Sequence, residues 1–432
     1  MKISELIKAT GAKVFGNINE DLEVNISTDT RTIKEGDFYL PLKGASFDGE
    51  EFLDQAFEKG AVGAFCTQEV SKFENKILLK VPDTLIAYLQ LANYLRNQLN
   101  LTVVAITGSS GKTTTKEIVS ATLESKYKVF KTPLNYNNEV GLCQTIFATP
   151  KDTQVLVLEM GMRGLGEIEL LSKYAEPDIT IVSNVGTAHI GRLGSRENIA
   201  KAKCEIVKYQ RGNVFIAHND ELIKNTVEFN GEKIFYSIND VNILEKDVNY
   251  SKFEYKNNIY ELNVGGDYNI ENALSAINTG EKLGLTFNEI QQGLKMYKPI
   301  EKRWEAVNAG GFEIINDSYN ANPESMRAFI NTIYELYNDY VIVLGDMGEL
   351  GDNEIGYHKE LGKYIFDKNI KNPILTVGVL SKHISGECNG LHFDTVENVV
   401  DYIKNNVSKS SKVFLKASRS MKFEKIIELL DH

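Results

Sequence analysis

From residue 101 to the end of the chain, short apolar runs alternate with stretches of helical periodicity. Strands are expected at Leu101–Ile106, Gln154–Leu158, Ile179–Val182, Val214–Ala217, Val341–Leu344 and Lys412–Leu415. Between them, apolar residues recur at three- and four-residue steps in 116–123, 197–209, 271–283, 287–296 and 322–336, as in helices with one buried face. Apolar strands separated by helices predict an α/β fold with a parallel sheet covered on both sides. Residues 1–82 read differently. Their strands are short and turns are frequent, around Glu35-Gly-Asp37 and Phe47-Asp-Gly49, which suggests a small α/β domain. A second boundary is expected near residue 303, between a helical pair ending at Lys298-Pro299 and a new strand at 311–315. The expected domains are 1–82, 83–302 and 303–432, consistent with a chain too long for one core.

Composition removes several function classes. The net charge is −11 and the acidic residues are spread along the chain, which argues against a general nucleic-acid surface. Cys66, Cys143, Cys204 and Cys388 lie far apart with no C-x-x-C pair, so neither a zinc knuckle nor a disulfide framework is expected. Charges interrupt the first eight residues where a signal peptide needs apolar ones. No apolar run is long enough to span a bilayer. The expectation is a cytoplasmic, monomeric protein that neither inserts into membrane nor binds nucleic acid.

The most informative segment runs from Thr107 to Thr114, T-G-S-S-G-K-T-T, between a strand and a helix. That order is the one that cradles a nucleotide triphosphate. Gly108 and Gly111 let the backbone curl around Ser109 and Ser110, so that N–H groups face phosphate oxygens. The helix N-terminus adds its positive field. Lys112 is expected on the β- and γ-phosphates, the Thr113 hydroxyl on Mg²⁺, and Thr114 within the same loop. Only two residues separate the glycines, where the common motif has four, so the flanking strand and helix carry the assignment. Glu159 ends the next strand, where the magnesium of a triphosphate is usually held. Ser183-Asn184-Val-Gly-Thr-Ala-His189 follows another strand and falls on the same sheet edge; its histidine could ligate a metal. The lysines of Glu197–Glu205 would by themselves read as a solvated helix face. Asp317-Ser-Tyr-Asn-Ala-Asn322-Pro323 opens a helix. Asn322 and Pro323 suit its cap and first position, whereas Asp317, Tyr319 and Asn320 suggest a ligand. Gly345-Asp-Met-Gly-Glu-Leu-Gly351 is not G-x-G-x-x-G and reads as a tight strand-to-helix turn. No N-K-x-D guanine motif accompanies the loop, which argues against a GTPase.

Together these segments resemble the Mur ligase family of amide-bond-forming ATPases. The resemblance spans nearly the whole chain. It rests on Ser27-Thr-Asp-Thr-Arg31, Phe47-Asp-Gly49, Thr107–Thr114, Asn135-Tyr-Asn-Asn-Glu139, Glu159-Met-Gly-Met162, Asn184–His189, Asp317–Pro323, Leu344–Gly351 and Lys416-Ala-Ser-Arg419. The D-S-Y-N-A-N-P and L-G-D-M-x-E-L-G strings point to the branch that adds D-alanyl-D-alanine to UDP-N-acetylmuramoyl-tripeptide. The resemblance implies a UDP-sugar-binding N-terminal domain, a central P-loop ATPase domain with a parallel sheet, and a Rossmann-like C-terminal domain. It implies ATP and Mg²⁺ as cofactors, and the two named molecules as substrates. By resemblance, Thr113 and Glu159 contact magnesium, His189 serves a second magnesium, and Lys203 is the position the family carbamylates. Catalysis would rest on Lys112, Lys203 and His189. Asn269 and Asn272 match a segment near the adenine, and Arg303 and Asp317 positions that approach the nucleotide. Thr28, Asp29, Arg31, Lys43 and Asp48 match the UDP-sugar domain. Asn137, Asn138, Tyr319 and Asn320 are candidates for the peptide and dipeptide; Lys416, Ser418 and Arg419 match a loop near substrate. Three positions depart from the family pattern: Glu50 where histidine is frequent, Ala417 where glycine is frequent, and Asp267-Tyr268 where G-x-H-N is common.

Overall fold

The computed structural model describes residues 1–44, 46–68, 73, 75–299 and 302–432. The chain forms two compact units, Met1–Leu101 with Thr132–Lys151, and Thr102–Lys131 with Asp152–His432.

The first unit holds a five-stranded sheet in the order Lys13–Phe15, Ile77–Lys80, Gly63–Cys66, Phe38–Tyr39, Ile26–Ser27. Only the first pairing is antiparallel. Tyr39, Leu53, Ala56, Ala64 and Leu78 form its core. The helix Thr84–Gln98 begins where the Asp83 carboxylate accepts the Ile86 N–H at 2.9 Å. It packs against the helix Glu139–Ala148, with Tyr88 stacked on Phe147 at 5.4 Å.

The second unit carries two six-stranded sheets. In the first, all strands are parallel, in the order Glu232–Tyr236, Val214–His218, Ile179–Val182, Thr102–Thr107, Val155–Glu159, Val129–Lys131. Its central strands are buried throughout, as the unbroken apolar runs predict. The helices Lys112–Glu124 and Asp267–Lys282 pack on each other beside it. A three-stranded antiparallel meander, Asn242–Asp247, Tyr250–Tyr255 and Asn258–Leu262, follows. The second sheet runs Glu305–Ala309, Phe312–Asn316, Lys412–Lys416, Tyr340–Gly345, Ile374–Val377, Leu391–Phe393, with only the edge strand Glu305–Ala309 antiparallel.

Trp304 ties the meander to the second sheet. Its indole Nε1 donates to the Val248 carbonyl at 2.9 Å, and its ring meets Phe329 edge-on at 5.6 Å and Phe414 at 6.2 Å. Burying this ring (2% exposed) with its N–H satisfied contributes on the order of 2–3 kcal/mol. No described helix is long and apolar enough to cross a membrane.

Candidate active site

The strand Thr102–Thr107 lies between Ile179–Val182 and Val155–Glu159, parallel to both. Three carboxyl-terminal loops therefore open side by side: the glycine loop, the loop after Glu159, and the loop from Ser183 to His189. This is the edge where open α/β sheets bind ligands, and the expectation that these three segments share one sheet edge holds.

Gly111 sits at φ 75° and precedes the helix Lys112–Glu124, whose first-turn N–H groups have no intrahelical acceptor. At Gly108 a side chain is excluded, because a Cβ would lie 1.9 Å from Ser183 Oγ. The loop is held from behind by Asn184. Its amide oxygen accepts the N–H groups of Ser109 and Ser110 at 3.1 and 2.9 Å, and its Nδ2 donates to Ser110 Oγ. Ser183 Oγ donates to the Ser110 carbonyl, and Ser109 Oγ accepts the Gly186 N–H. Asn184 is thus a functional position to which the sequence reading gave no role. The signal available was its place directly after a strand on the same sheet edge.

Lys112 Nζ donates to the Gly108 carbonyl at 2.8 Å, across the loop. Burial lowers its pKa from the ordinary value, and the nearby Arg303 charge adds to that against the opposing pull of Glu159 and Glu349. Thr113 Oγ1 accepts from the Arg303 guanidinium at 3.0 Å, and that guanidinium lies flat on the Tyr319 ring, 3.9 Å from its centroid. Arg303 therefore reaches the glycine loop from the second sheet. Glu159 is buried at the tip of its strand, with the buried Lys116 ammonium 3.9 Å away and Glu117 3.1 Å on Lys116's other side.

The helix Arg196–Cys204 turns its two lysines to different surroundings. Lys201 is exposed, whereas Lys203 is buried with 1% of its surface accessible. Burial, with the Lys112 charge beside it, pushes the Lys203 amine well below the ordinary lysine range. A solvated-face reading does not apply to it. His189 adopts φ 66°, and its Nδ1 lies 2.7 Å from the Glu349 carboxylate.

Asp317 and Lys416 end adjacent strands of the second sheet and pair at 2.5 Å; Lys416 Nζ also reaches the Asn320 carbonyl at 3.3 Å. Asn322 caps the helix Pro323–Leu336 by accepting the Ser325 N–H at 2.9 Å, with Pro323 at its start, as expected. The Ser418 N–H donates to the Asp346 carbonyl, and Arg419 pairs with Glu424 at 2.9 Å on the surface. Ala417 is buried against Gly345. Asn269 and Asn272 are buried too. Asn269 donates to the Gly265 carbonyl, and Asn272 Oδ1 accepts from Thr115 Oγ1 at 3.0 Å behind the glycine loop. Tyr268 beside them meets Trp304 edge-on at 5.8 Å.

In the first unit, Asp29 and Arg31 form a two-bond pair at 2.9 and 2.7 Å beside Thr28, with the arginine largely exposed. Arg31 holds the Asp29 carboxyl down at about 2. Lys43 and Asp48 stand 3.4 Å apart, and Asp48 accepts the Glu50 N–H at 3.0 Å. The Glu50 carboxylate accepts the Thr67 N–H at 2.8 Å, an anchor for this loop. Asn138 caps the helix Glu139–Ala148 by accepting the Gly141 N–H, directly after Asn137. The candidate peptide residues thus divide, with Asn137 and Asn138 in the first unit and Tyr319 and Asn320 in the second.

Comparison with known proteins agrees with this geometry. The Mur ligase family catalytic domain matches residues 24–101, the Mur ligase middle domain 106–280, and the Mur ligase glutamate ligase domain 302–419. The UDP-N-acetylmuramoyl-tripeptide–D-alanyl-D-alanine ligase of Bacillus subtilis is 36% identical over 99% of this chain and 96% of its own. A crystal structure of MurF from Acinetobacter baumannii superposes with a TM-score of 0.90, at 29% identity, covering 99% of this chain and 98% of that one. MurF ligase from Thermotoga maritima in complex with ADP gives 0.85 at 28% identity, covering 96% and 98%.

Proposed function

The chain belongs to the Mur ligase family, with that family's three-domain fold, and we propose how its site carries out the family's ligation. The protein is an ATP-dependent ligase that joins D-alanyl-D-alanine to UDP-N-acetylmuramoyl-tripeptide in peptidoglycan precursor synthesis. The tripeptide's terminal carboxylate attacks the γ-phosphorus of ATP and ADP leaves. The amine of D-alanyl-D-alanine attacks the resulting acyl phosphate. The tetrahedral intermediate loses inorganic phosphate, and the amine gives up its proton, leaving the amide. A carboxylate is a poor electrophile until one oxygen becomes a phosphate leaving group, which is why the reaction consumes ATP.

The observation that carries this reading is the convergence of Lys112, Thr113, Glu159 and the 183–189 loop on three adjacent parallel strands. In the proposed course, Lys112 swings from the Gly108 carbonyl onto the β- and γ-phosphates and offsets the charge that would repel the incoming carboxylate. The backbone of Gly108, Ser109, Ser110, Gly111 and Thr114 shapes the phosphate cradle. Asn269 and Asn272 support the adenine side through the helix they begin. Arg303, held flat by Tyr319, delivers a second positive charge, and Asp317, paired with Lys416, would approach the nucleotide from the same sheet.

Among the described residues no three His, Cys, Asp or Glu side chains cluster as a self-sufficient metal site. A buried carboxylate and a threonine hydroxyl are hard oxygen donors that suit Mg²⁺ brought in by phosphate oxygens. Thr113 and Glu159 would hold that ion, and bound there it would neutralise phosphate charge. Lys203, buried and with its amine pushed well below the ordinary lysine range, is suited to add CO2 at Nζ with loss of a proton, turning an amine into an anion. That carbamate and His189 would serve a second Mg²⁺. A carbamate resonance after equilibration with ¹³C-bicarbonate, absent in Lys203→Met, tests the modification.

For the substrates, Thr28, Asp29, Arg31, Lys43 and Asp48 would take the UDP-sugar. Asn137, Asn138, Tyr319, Asn320, Lys416, Ser418 and Arg419 would take the peptide and dipeptide. The proposed domain limits are 1–82, 83–302 and 303–432, in a cytoplasmic monomer that sediments near 48.4 kDa.

Phosphate release from ATP and Mg²⁺, with mass analysis of the product, tests the reading. Release that needs both the tripeptide and D-alanyl-D-alanine, with a pentapeptide product, is expected. Release with folate and glutamate instead would assign the chain to a sister ligase.

A further inference from the structure

We infer that Glu349 is a positioning residue that fixes the ring of His189, so that the loop 345–351, where it meets the loop 186–193, completes the metal site. This rests on the reading of His189 as a metal ligand.

Four observations converge. First, Glu349 Oε2 lies 2.7 Å from His189 Nδ1. A carboxylate can only accept, so Nδ1 is the donor of this contact and Nε2 is the ring nitrogen left to face a metal. A histidine that binds metal through one nitrogen is commonly oriented by a carboxylate on the other.

Second, both partners are non-glycine residues in the left-handed region, His189 at φ 66° and Glu349 at φ 60°. Such conformations cost about 1 kcal/mol or more each and persist where surroundings impose them. Two of them facing one another across one contact mark a site where geometry outranks local stability.

Third, the two loops meet backbone to backbone. A Cβ built on Gly191 would lie 2.6 Å from Gly351 Cα, and one built on Gly351 would lie 2.5 Å from Gly191 Cα. Any side chain at either glycine would push Glu349 away from His189. Thr187 Oγ1 also donates to Glu324, in the first turn of the helix Pro323–Leu336, at 2.9 Å, which ties the 186–193 loop to a neighbouring element.

Fourth, the Glu349 loop is itself braced. Asp346 accepts the N–H groups of Val379, Leu380 and Ser381 at 3.1, 3.0 and 2.7 Å. His358 Nε2 accepts the Met347 N–H at 3.0 Å, while its Nδ1 bonds the Glu354 carbonyl at 2.7 Å. The glycine-rich string 345–351 is thereby explained as a rigid arm that presents one carboxylate.

The test compares wild type with Glu349→Ala, Glu349→Asp and His189→Ala by two readouts. One is the Mg²⁺ concentration giving half-maximal phosphate release. The other is the tautomer of His189, read by ¹⁵N NMR of histidine-labelled protein without metal; the six histidines make assignment by substitution direct. Glu349→Ala should raise the Mg²⁺ requirement about 10- to 100-fold, leave the KM for ATP nearly unchanged, and move the His189 proton toward Nε2. Glu349→Asp should recover part of both effects. Unchanged tautomer and Mg²⁺ requirement in Glu349→Ala, with a changed requirement in His189→Ala, would overturn this inference alone. An unchanged requirement in His189→Ala would overturn the metal reading of His189 and this inference with it.

Discussion

Around the glycine loop, Lys112, Thr113 and Glu159 are buried or half-buried and already engaged by protein partners. In the first unit, Asp29, Arg31, Lys43 and Asp48 pair mainly with one another, and both cations are largely exposed to water. Phosphate chemistry needs a fixed field before the substrate arrives, because the transition state gains only from groups that need no reorganisation. A nucleotide-sugar handle needs recognition alone, and surface pairs worth less than about 1 kcal/mol are easily exchanged for ligand contacts. Substitutions in the first region should therefore cost turnover, and those in the second should cost affinity.

The largest effect is expected for Lys112→Ala. Phosphate release should fall by about 10³-fold or more, with an unfolding temperature close to wild type. Retained turnover would remove the glycine loop from the mechanism.

Lys203→Met comes next. Turnover should fall by about 10²-fold. Stability in CO2-depleted buffer should hold or rise, since the variant no longer buries an amine whose charged form is disfavoured there. A destabilised but active variant would mean that Lys203 is structural.

Arg31→Ala sharpens the other side of the comparison. The KM for the UDP-substrate should rise by about tenfold with kcat within about twofold. A drop in kcat at unchanged KM would move the first unit's pair into the chemistry.

The smallest effect lies away from both regions. Burial opposes the charge on His218, but its bond to Glu271 at 3.2 Å and the charges of Glu271, Asp220 and Asp240 outweigh that and raise its pKa. Its contribution to stability is therefore complete below about pH 6.5 and fades as pH rises through the folded value. His218→Gln should lower stability at pH 6 by up to about 1 kcal/mol and leave pH 9 nearly unchanged, as denaturant midpoints would read.

The glycine loop was legible because its chemistry is written in consecutive residues: strand, glycines, Lys112 and Thr113. The same holds for the Asn322-Pro323 cap. Lys203 was harder. Against Lys201 it is a matter of helical register, and only packing shows which lysine turns inward. The strand Asn242–Asp247 escaped notice because exposed charged residues interrupt its pattern, leaving no apolar face to count. Nothing in the pattern shows that Thr132–Lys151 packs with the amino-terminal unit, since that depends on contacts such as Tyr88 on Phe147. Asn184 and Glu349 were visible as members of motifs, yet their partners lie 74 and 160 positions away, at Ser110 and His189, and local sequence carries no information at that range.

The central claim, that the carboxylate is activated as an acyl phosphate on this loop, is tested most directly by isotope transfer. UDP-N-acetylmuramoyl-tripeptide labelled with ¹⁸O in its terminal carboxylate would be ligated to D-alanyl-D-alanine, and the released phosphate examined by mass spectrometry. The account predicts one ¹⁸O in each phosphate and one left in the new amide. Phosphate free of ¹⁸O, formed alongside pentapeptide, would contradict it.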